Sequence, residues 1–420
     1  MLGESGSYES EYDVVCVGGG IAGSGLAAVL AKAGKRCLVL EATEEFPDRT
    51  KGEWIAPWGV IDATQVGLLD VVRSARGHSI LRHATHDETQ VGDDAEMLDF
   101  RDFAPFPPPL TQRHPDLCQA LFDHASAVGA ATVRPVASVS VSIPDRVGER
   151  RTVAFTSDGV EHAVTARLVV AADGRNSSVR RQLGLKLARD KPHHNFSGLL
   201  IDGAHDWPAD LQVIGTDEDV HFLAFPQGEG RVRLYLGWDI EDRHRFTGPE
   251  GGRRFADRFA GIGCVPGIDA FQGVSVESPC STYSNEDAWL ATPVHDGVVF
   301  MGDAAGWNDP IIGQGLAITF RDIRVLSELL LAADDWDERI LAPYVVERQE
   351  RMRRLRFSAA FTSVLRNEFG PAAAARRRRV RTLLASRPDL AMTSAVAFVG
   401  PDVAPSEAFT PERWAELVGV

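Results

Sequence analysis

The sequence predicts an α/β fold: a Rossmann-like, doubly wound parallel sheet, a β-sheet insertion and a helical C-terminal region. Three stretches predict it. In each, an apolar strand runs straight into a glycine-bearing turn and then into a helix. They are Asp13 to Val17 into Gly18, Ala166 to Ala172 into Asp173-Gly174, and Gly297 to Met301 into Gly302. Short continuous apolar runs bounded by turns suit strands buried on both faces, as parallel strands are.

The first stretch organises the chain. Gly18, Gly20 and Gly23 stand at GxGxxG spacing, with Ile21 and Ala22 between them. The first glycine permits a tight turn, the second a close approach to a pyrophosphate, the third close packing of helix on strand. Ser24 to Ala33 reads as a helix whose N-terminus presents free N–H groups to phosphates. A second apolar strand, Arg36 to Leu40, ends in Glu41, 23 positions after Gly18, where an acceptor for ribose hydroxyls is expected. A GxGxxG spacing alone also describes any glycine-rich turn. The strand before it, the helix after it and the acid at the second strand's end together point to a dinucleotide.

Composition narrows the class. The chain has 420 residues, 44% hydrophobic and 25% charged, enough for two or three domains. Its net charge of −15 argues against nucleic acid or an anionic membrane as the main partner. The five cysteines are scattered, with no CxxC pair, as in a reduced cytoplasmic protein. Residues 1 to 11 are acidic and polar, expected as a disordered lead-in rather than a signal peptide. No apolar run reaches membrane-spanning length.

Further along, Arg49 to Gly59 reads as a loop whose basic residues face either phosphates or solvent. Ile61 to Ser74 is amphipathic and expected as one helix. His78 to Phe103 reads as strands of a second sheet. Four prolines within Pro105 to Pro109 force a non-helical crossing. Pro115 and Asp116 start a helix over Leu117 to Val128, and Ala131 to Val141 and Thr152 to Ser157 alternate like strands. Gly159 to Ala163 reads as a strand connection. Asp173-Gly174, at a strand's C-terminal edge, suits either a ligand-facing turn or a simple helix cap. Residues 190 to 285 are rich in alternation, and Val220 to Phe225 and Arg231 to Trp238 flank a hairpin turn. There, Phe196, Trp207, Phe222, Phe225, Tyr235 and Trp238 either line a pocket for a flat substrate or fill the sheet's core. Gly302 to Gly306 and Asp309 to Leu316 expose backbone N–H groups before a helix ending near Leu331, which suits an anion. From Ala342 the chain is helical and basic, and Arg376 to Arg379 read as a salt-bridged helix face.

Three motifs therefore follow in fixed order: GxGxxG with Glu41, Asp173-Gly174 with Ser178-Val179-Arg180, and Gly302-Asp303-Ala304-Ala305 with Pro310 and Gly313-Gln314-Gly315. Together they resemble the para-hydroxybenzoate-hydroxylase-like flavoproteins, the group A FAD-dependent monooxygenases, over residues 12 to 345. The resemblance implies a GR2-type FAD-binding domain from 12–75, 104–185 and 286–341. A substrate domain would come from 76–103 and 186–285, and a helical region from 342–420. It implies that Gly18, Gly20, Ile21, Ala22 and Gly23 hold the FAD pyrophosphate and that Glu41 binds the adenosine ribose. Val136 would lie against the adenine, and Asp173 and Gly174 would serve FAD and NAD(P)H pyrophosphates. Asp303 would accept a ribityl hydroxyl, and Pro310, Gly313, Gln314, Gly315 and Leu316 would border the isoalloxazine ring. Four positions depart from the family pattern: His114 stands where an arginine contacts pyrophosphate, so that Arg113 beside it is the cofactor-binding candidate, Lys51 replaces an arginine, Gly306 a histidine, and Ala317 an asparagine.

The function this implies is a hydroxylase. NAD(P)H would reduce bound FAD, a flavin C4a-hydroperoxide would form with O2, and its distal oxygen would go to an aromatic or polyketide-like small molecule. No catalytic residue is assigned; His221 is a candidate base, and a structural histidine is the plainer reading. The Gly306 and Asp309-Pro310 variants also occur in geranylgeranyl reductases, so a flavin-dependent double-bond reductase is the rival. A flavin halogenase ranks lower, because the chain lacks Trp-x-Trp-x-Ile-Pro. A non-catalytic FAD-binding redox protein ranks last. No metal and no integral membrane segment are expected, and the oligomeric state is open.

Overall fold

A computed structural model describes residues 8–48, 50, 52–90, 95–142 and 150–419. The chain opens with β1 (Glu11–Val17), α1 (Ile21–Lys32) and β2 (Cys37–Leu40). Strands β3 (Arg82–Asp87) and β4 (Glu96–Asp99) then leave for a second sheet. Helix α2 (His114–Ala127) leads back to the first sheet, which gains β5 (Ala131–Val133) and β6 (Val160–Ala171). Next, β7 (His194–Asp202), β8 (Leu211–Asp217), β9 (Val220–Pro226) and β10 (Val232–Asp239) extend the second sheet. Strand β11 (Val298–Phe300) and α3 (Gly315–Ala332) return to the first. Helices α4 (Glu338–Arg366), α5 (Pro371–Ser386) and α6 (Met392–Val399) follow. No helix among the described residues is long and apolar enough to cross a membrane.

The first sheet runs β11-β6-β1-β2-β5, every neighbour parallel. Strand parity sorts its side chains. Val14, Cys16, Leu168, Val170 and Val299 pack with α1, α2 and α3 on one face. Val15, Val17, Val169, Ala171, Val298 and Phe300 pack on the other, against the hairpin made by Arg151–Ser157 and β6. Both faces are covered, which is why these strands read as unbroken apolar runs.

In the second sheet β7, β10, β9 and β8 are antiparallel neighbours, and β8 continues parallel to β3. One face carries Phe222, Leu234, Leu236 and Trp238 onto a helix over Gly251–Ala260 through Phe255 and Phe259. The other face turns toward the first sheet and the C-terminal helices.

Several local expectations change. Ile61 to Ser74 is two helices, Pro57–Gln65 and Leu69–Ser74, because Gly67 takes φ +74° between them. Asp158 and Gly159 make the left-handed turn of a hairpin, so residues 160–163 belong to β6 rather than to a connection. Residues 8 to 11 are not a disordered lead-in: Tyr8 packs edge-on against Phe155 and His162, and β1 starts at Glu11. His78 joins a small sheet with Leu110–Thr111 and Trp54–Ile55 instead of the second sheet. In the Arg376 to Arg379 run, Arg376 pairs with Glu368 and Arg377 with Glu88, so the partners lie outside that helix face.

The turn after β11 is held from behind. Asp322 of α3 is fully buried and accepts from Gly302 N at 2.8 Å, Arg351 Nη2 at 2.7 Å and Arg348 Nε at 3.2 Å. Burial pushes its carboxyl up, but Arg348 and Arg351 outweigh that and hold it below the usual range. Arg348 also donates to Gly302 O at 3.1 Å. Asp322→Ala strands two buried guanidinium groups, and removing one partner of a buried ion pair costs about 3–5 kcal/mol. Urea unfolding of this variant is expected to show a loss of that order; a loss near zero would contradict the assigned role.

Candidate functional site

One cavity of about 1700 Å³ runs from the C-terminal ends of the parallel strands to the second sheet. Pockets for one drug-sized ligand span roughly 300–1,000 Å³. This cavity has room for two molecules end to end.

Its first end is built by close approach of backbone to backbone. Gly18 takes φ +105°, and a Cβ there would lie 2.4 Å from Ala172 O. A Cβ on Gly23 would lie 2.0 Å from Gly18 O. A Cβ on Gly20 would meet no atom within 4 Å, because Gly20 opens on the cavity. The first N–H groups of α1 have no intrahelical acceptor and face this space beside Ile21 and Ala22. Gly23 itself packs helix on turn and is not on the wall.

Glu41 is held rather than free. Its carboxylate accepts from Gly19 N at 2.8 Å and from Thr43 N and Oγ1 at 2.8 and 2.7 Å. A carboxylate has about four acceptor sites, so one remains toward the cavity it lines. Val136 lies nearby on the same wall and donates its N–H to Glu41 O.

Asp173 caps a helix through one of its two carboxylate oxygens. Oδ2 accepts from Ser178 N (2.6 Å), Ser178 Oγ (3.0 Å) and Val179 N (3.2 Å), capping the short helix Ser178–Gln182. Oδ1 is buried without a partner, on a residue of the cavity wall. Gly174 lies beside it at φ +74°. Arg180, from the same motif, donates to Ala304 O at 2.9 Å and ties the second turn to the third.

At the third turn, Asp303 lines the cavity and accepts from Arg175 Nε at 3.0 Å. The Arg175 and Arg189 guanidinium groups both stack on Trp307, 4.8 and 5.0 Å from its ring centre. Pro310, Gly313, Gly315 and Leu316 border the cavity's middle, where α3 begins. Gly313 takes φ +67° and stands against the Trp54 ring. Gln314 does not face the cavity with its side chain: Oε1 accepts from Trp58 Nε1, and Nε2 donates to the carbonyls of Ile312 and Ala397. Of the adjacent pair, His114 is on the wall, while Arg113 is off it and pairs with Asp48 at 3.2 Å. Arg49 and Lys51 lie outside the described residues.

The second end is the free face of the second sheet. Of the six aromatics singled out, Phe196, Phe225 and Tyr235 face the cavity, whereas Trp207, Phe222 and Trp238 fill the opposite core. Parity decides it: Leu223 and Phe225 point one way along β9, Phe222 and Ala224 the other. The Tyr235 hydroxyl donates to Glu53 Oε2 at 2.9 Å and Arg233 donates to Glu53 Oε1 at 2.7 Å, fastening the Gly52-Glu53 loop to this sheet.

Four wall residues had no sequence signal: His83, Gln212, Arg366 and Phe398. Trp54 Nε1 donates to Gln212 Oε1 (2.9 Å), so the Gln212 amide N–H points to His83 Nδ1 (2.8 Å). His83 therefore carries its proton on Nε2, toward Thr85 Oγ1. Burial pushes its pKa down to about 3, with Arg366 adding to the effect, so it stays neutral. His221 is off the wall: Nδ1 donates to Gly215 O at 2.6 Å, and burial holds it well below the usual range. It is a structural histidine. Asp309, behind Pro310, is fully enclosed; burial raises its carboxyl to about 8, aided by Asp287. Its neighbour His194, 3.8 Å away, is pushed down to about 3 by burial, so both are neutral at pH 7.

The comparisons agree with this geometry. A family model described as FAD binding domain matches residues 11–358. Squalene epoxidase 3 of Arabidopsis thaliana is 26% identical over 332 residues, 76% of this chain. That match spans only 60% of the relative's own length. The flavin-dependent halogenase CmlS superposes with TM-score 0.75 at 16% identity, covering 98% of this chain and 78% of that one. The p-nitrophenol 4-monooxygenase PnpA of Pseudomonas putida superposes with TM-score 0.74 at 20% identity, covering 97% and 98%. At these identities the two structures share the fold with this chain.

Two outcomes follow from the wall. Gly20→Ala has space and a permissive φ of −71°, so its flavin-free form should melt with flavin-free wild type while the added methyl lowers flavin content. Gly23→Ala forces backbone apart and should lose about 1–3 kcal/mol in urea unfolding as well. Equal behaviour of the two would contradict the division drawn here. Asp309 binds its proton more tightly folded than unfolded, so the stability it contributes is complete below about pH 4 and is lost as pH rises through about 8. The fall in urea midpoint between about pH 5 and pH 9 should therefore shrink in Asp309→Asn; an unchanged fall would refute the shift.

Proposed function

The chain belongs to the FAD-binding-domain family of flavoproteins, and from that premise we propose that it is an FAD-dependent oxidoreductase. Its reaction, in this reading, is that of a monooxygenase using NAD(P)H and O2 to oxygenate an aromatic or polyketide-like small molecule. The observation that carries the reading is the continuity of the cavity. It joins the glycine turn and Glu41, past Pro310 to Gly315, to the aromatic face of the second sheet.

The residues present fit FAD. Asp173 Oδ1 is a buried acceptor without a partner. Gly20 opens on space that a side chain would enter, and Gly18 lets the turn pass against Ala172. Bound FAD would supply the hydride and oxygen chemistry. The chain's own part is placement. The N–H groups at the start of α1 and Asp173 hold the nucleotide portion. Asp303 meets the ribityl chain. The start of α3 borders the cavity's middle and would hold the edge of the ring with N–H groups and positive dipole, which favour negative charge. Trp54, Phe225, Tyr235 and Phe398 enclose the reacting region and exclude water. The neutral Gln212–His83 pair offers hydrogen bonds there without a charge that shifts between about pH 5 and 8.

The test is turnover of the purified holoprotein with NADH or NADPH, a panel of phenols and polyketides, and 18O2. Ligand-stimulated oxidation of the nicotinamide, with one 18O atom per product, is expected. Anaerobic reduction of an alkene would replace the reading with a double-bond reductase, and a halide-dependent product with a halogenase. Protein without bound flavin would remove it.

A further inference from the structure

Beyond Trp54 and Phe398 the cavity continues between the second sheet and the C-terminal helices. The last turns of α4 supply one wall, with Phe361, Thr362, Leu365 and Arg366 on a single stripe. Leu384 on α5 and Ala395 on α6 continue it. The lobe is apolar except for its charges.

Three arginines face it. Arg377 is satisfied by Glu88 Oε1 (2.5 Å) and by the carbonyls of Leu365 and Glu368 (3.0 and 2.9 Å). Arg381 reaches Asp87 Oδ2 at 3.5 Å. Arg366 differs: among the described residues its guanidinium has no hydrogen bond and no carboxylate within 4.0 Å. Asp87 is occupied by Thr89 N and Oγ1 as well as by Arg381. Glu96 is exposed to water. The nearby histidines do not compete as cations, because His83 and His221 are both held neutral by burial. Burial also lowers Arg366, with Asp87 and Glu96 opposing, but a guanidinium keeps its proton in proteins. The Arg366 side chain is only partly buried and opens on the lobe, so its guanidinium is available to an acceptor that enters there.

We propose that Arg366 binds an anionic oxygen of the substrate, so that the substrate is amphipathic: an apolar, aromatic or polyketide-like body with an acidic head. This rests on the substrate occupying the cavity as read above. The head is a carboxylate or an acidic enol, and both offer the planar fork of a guanidinium the same acceptor. Arg366 is a specificity residue here, distant in role from the flavin contacts at Gly18 to Asp173.

Isothermal titration of the holoprotein at pH 7 with matched probes tests it. 2-Naphthoate is compared with 2-naphthamide, and 2-hydroxy-1,4-naphthoquinone with 1,4-naphthoquinone. The acidic member of at least one pair should bind about tenfold tighter, the order expected of a charge-assisted hydrogen bond. A preference in the first pair identifies a carboxylate head, and in the second an enolate. R366Q should bring the ratio to about one, and R366K should restore part of it, since a lysine keeps the charge without the fork. Melting curves of both variants show that the fold is kept. Equal binding within both pairs, or a preference that survives in R366Q, overturns the proposal. Flavin absorbance of the same samples separates the two readings: loss of flavin sinks the flavoenzyme, while the calorimetry still reports on Arg366.

Discussion

Asp322 is the group on which the site's third wall depends. The chain must leave β11, turn within a few residues and enter α3 with its N-terminus aimed at the cavity. Gly302 to Ala305 form one short 3-10 turn, entered through Gly302 at φ +54°. The restraint comes from behind. Asp322 holds Gly302 N, and Arg348 and Arg351 of α4 hold Asp322. Tyr344 adds a hydrogen bond to Phe300 O at 2.9 Å. A helix that follows every recognisable motif is thus part of the apparatus that shapes the third one. The same logic ties the second turn to the third through Arg180.

The crossings themselves were legible in the sequence because their physics is local. A buried parallel strand needs an unbroken apolar run, and a backbone passing within contact of another backbone needs glycine. Gly18 and Gly23 announce that need at fixed spacing. Glu41 was legible as an acceptor, but not that Gly19 and Thr43 hold it. The Asp173 turn admitted two readings from sequence; the structure shows the helix cap, made by Oδ2, and leaves Oδ1 buried without a partner.

The far wall was only half legible, for a physical reason. Aromatic residues in alternating strands announce a sheet, yet the side of the sheet that meets the cavity depends on which face another element covers. The helix Gly251–Ala260 covers the face with Phe222 and Trp238 and leaves Phe225 and Tyr235 free. His83 and Gln212 come together from strands 129 residues apart, joined in parallel. Arg366 and Phe398 come from a region whose composition reports helices and charge but not what those helices roof. Gly67 shows the converse: a local breaker inside an amphipathic run, outvoted by the pattern in the sequence reading and decisive in the fold.

The cavity's electrostatics separate its two ends. The nucleotide end is made of backbone N–H groups, helix starts and carboxylates with a free lone pair, which suit phosphates and sugar hydroxyls together. Around the middle, charge is suppressed: Asp309 and His194 are both neutral at pH 7, and so is His83. A fixed charge there would bias the ring in one oxidation state and bring water with it. Among the described residues, the wall where α4 ends carries Arg366, a guanidinium with no hydrogen-bonded carboxylate, whereas Glu53 is matched by Arg233 and Asp303 by Arg175. A substrate whose charge lies at the opposite end from the reacting carbon meets Arg366. On the proposal made for Arg366, the placement of charge along the cavity would orient a ligand as well as admit it.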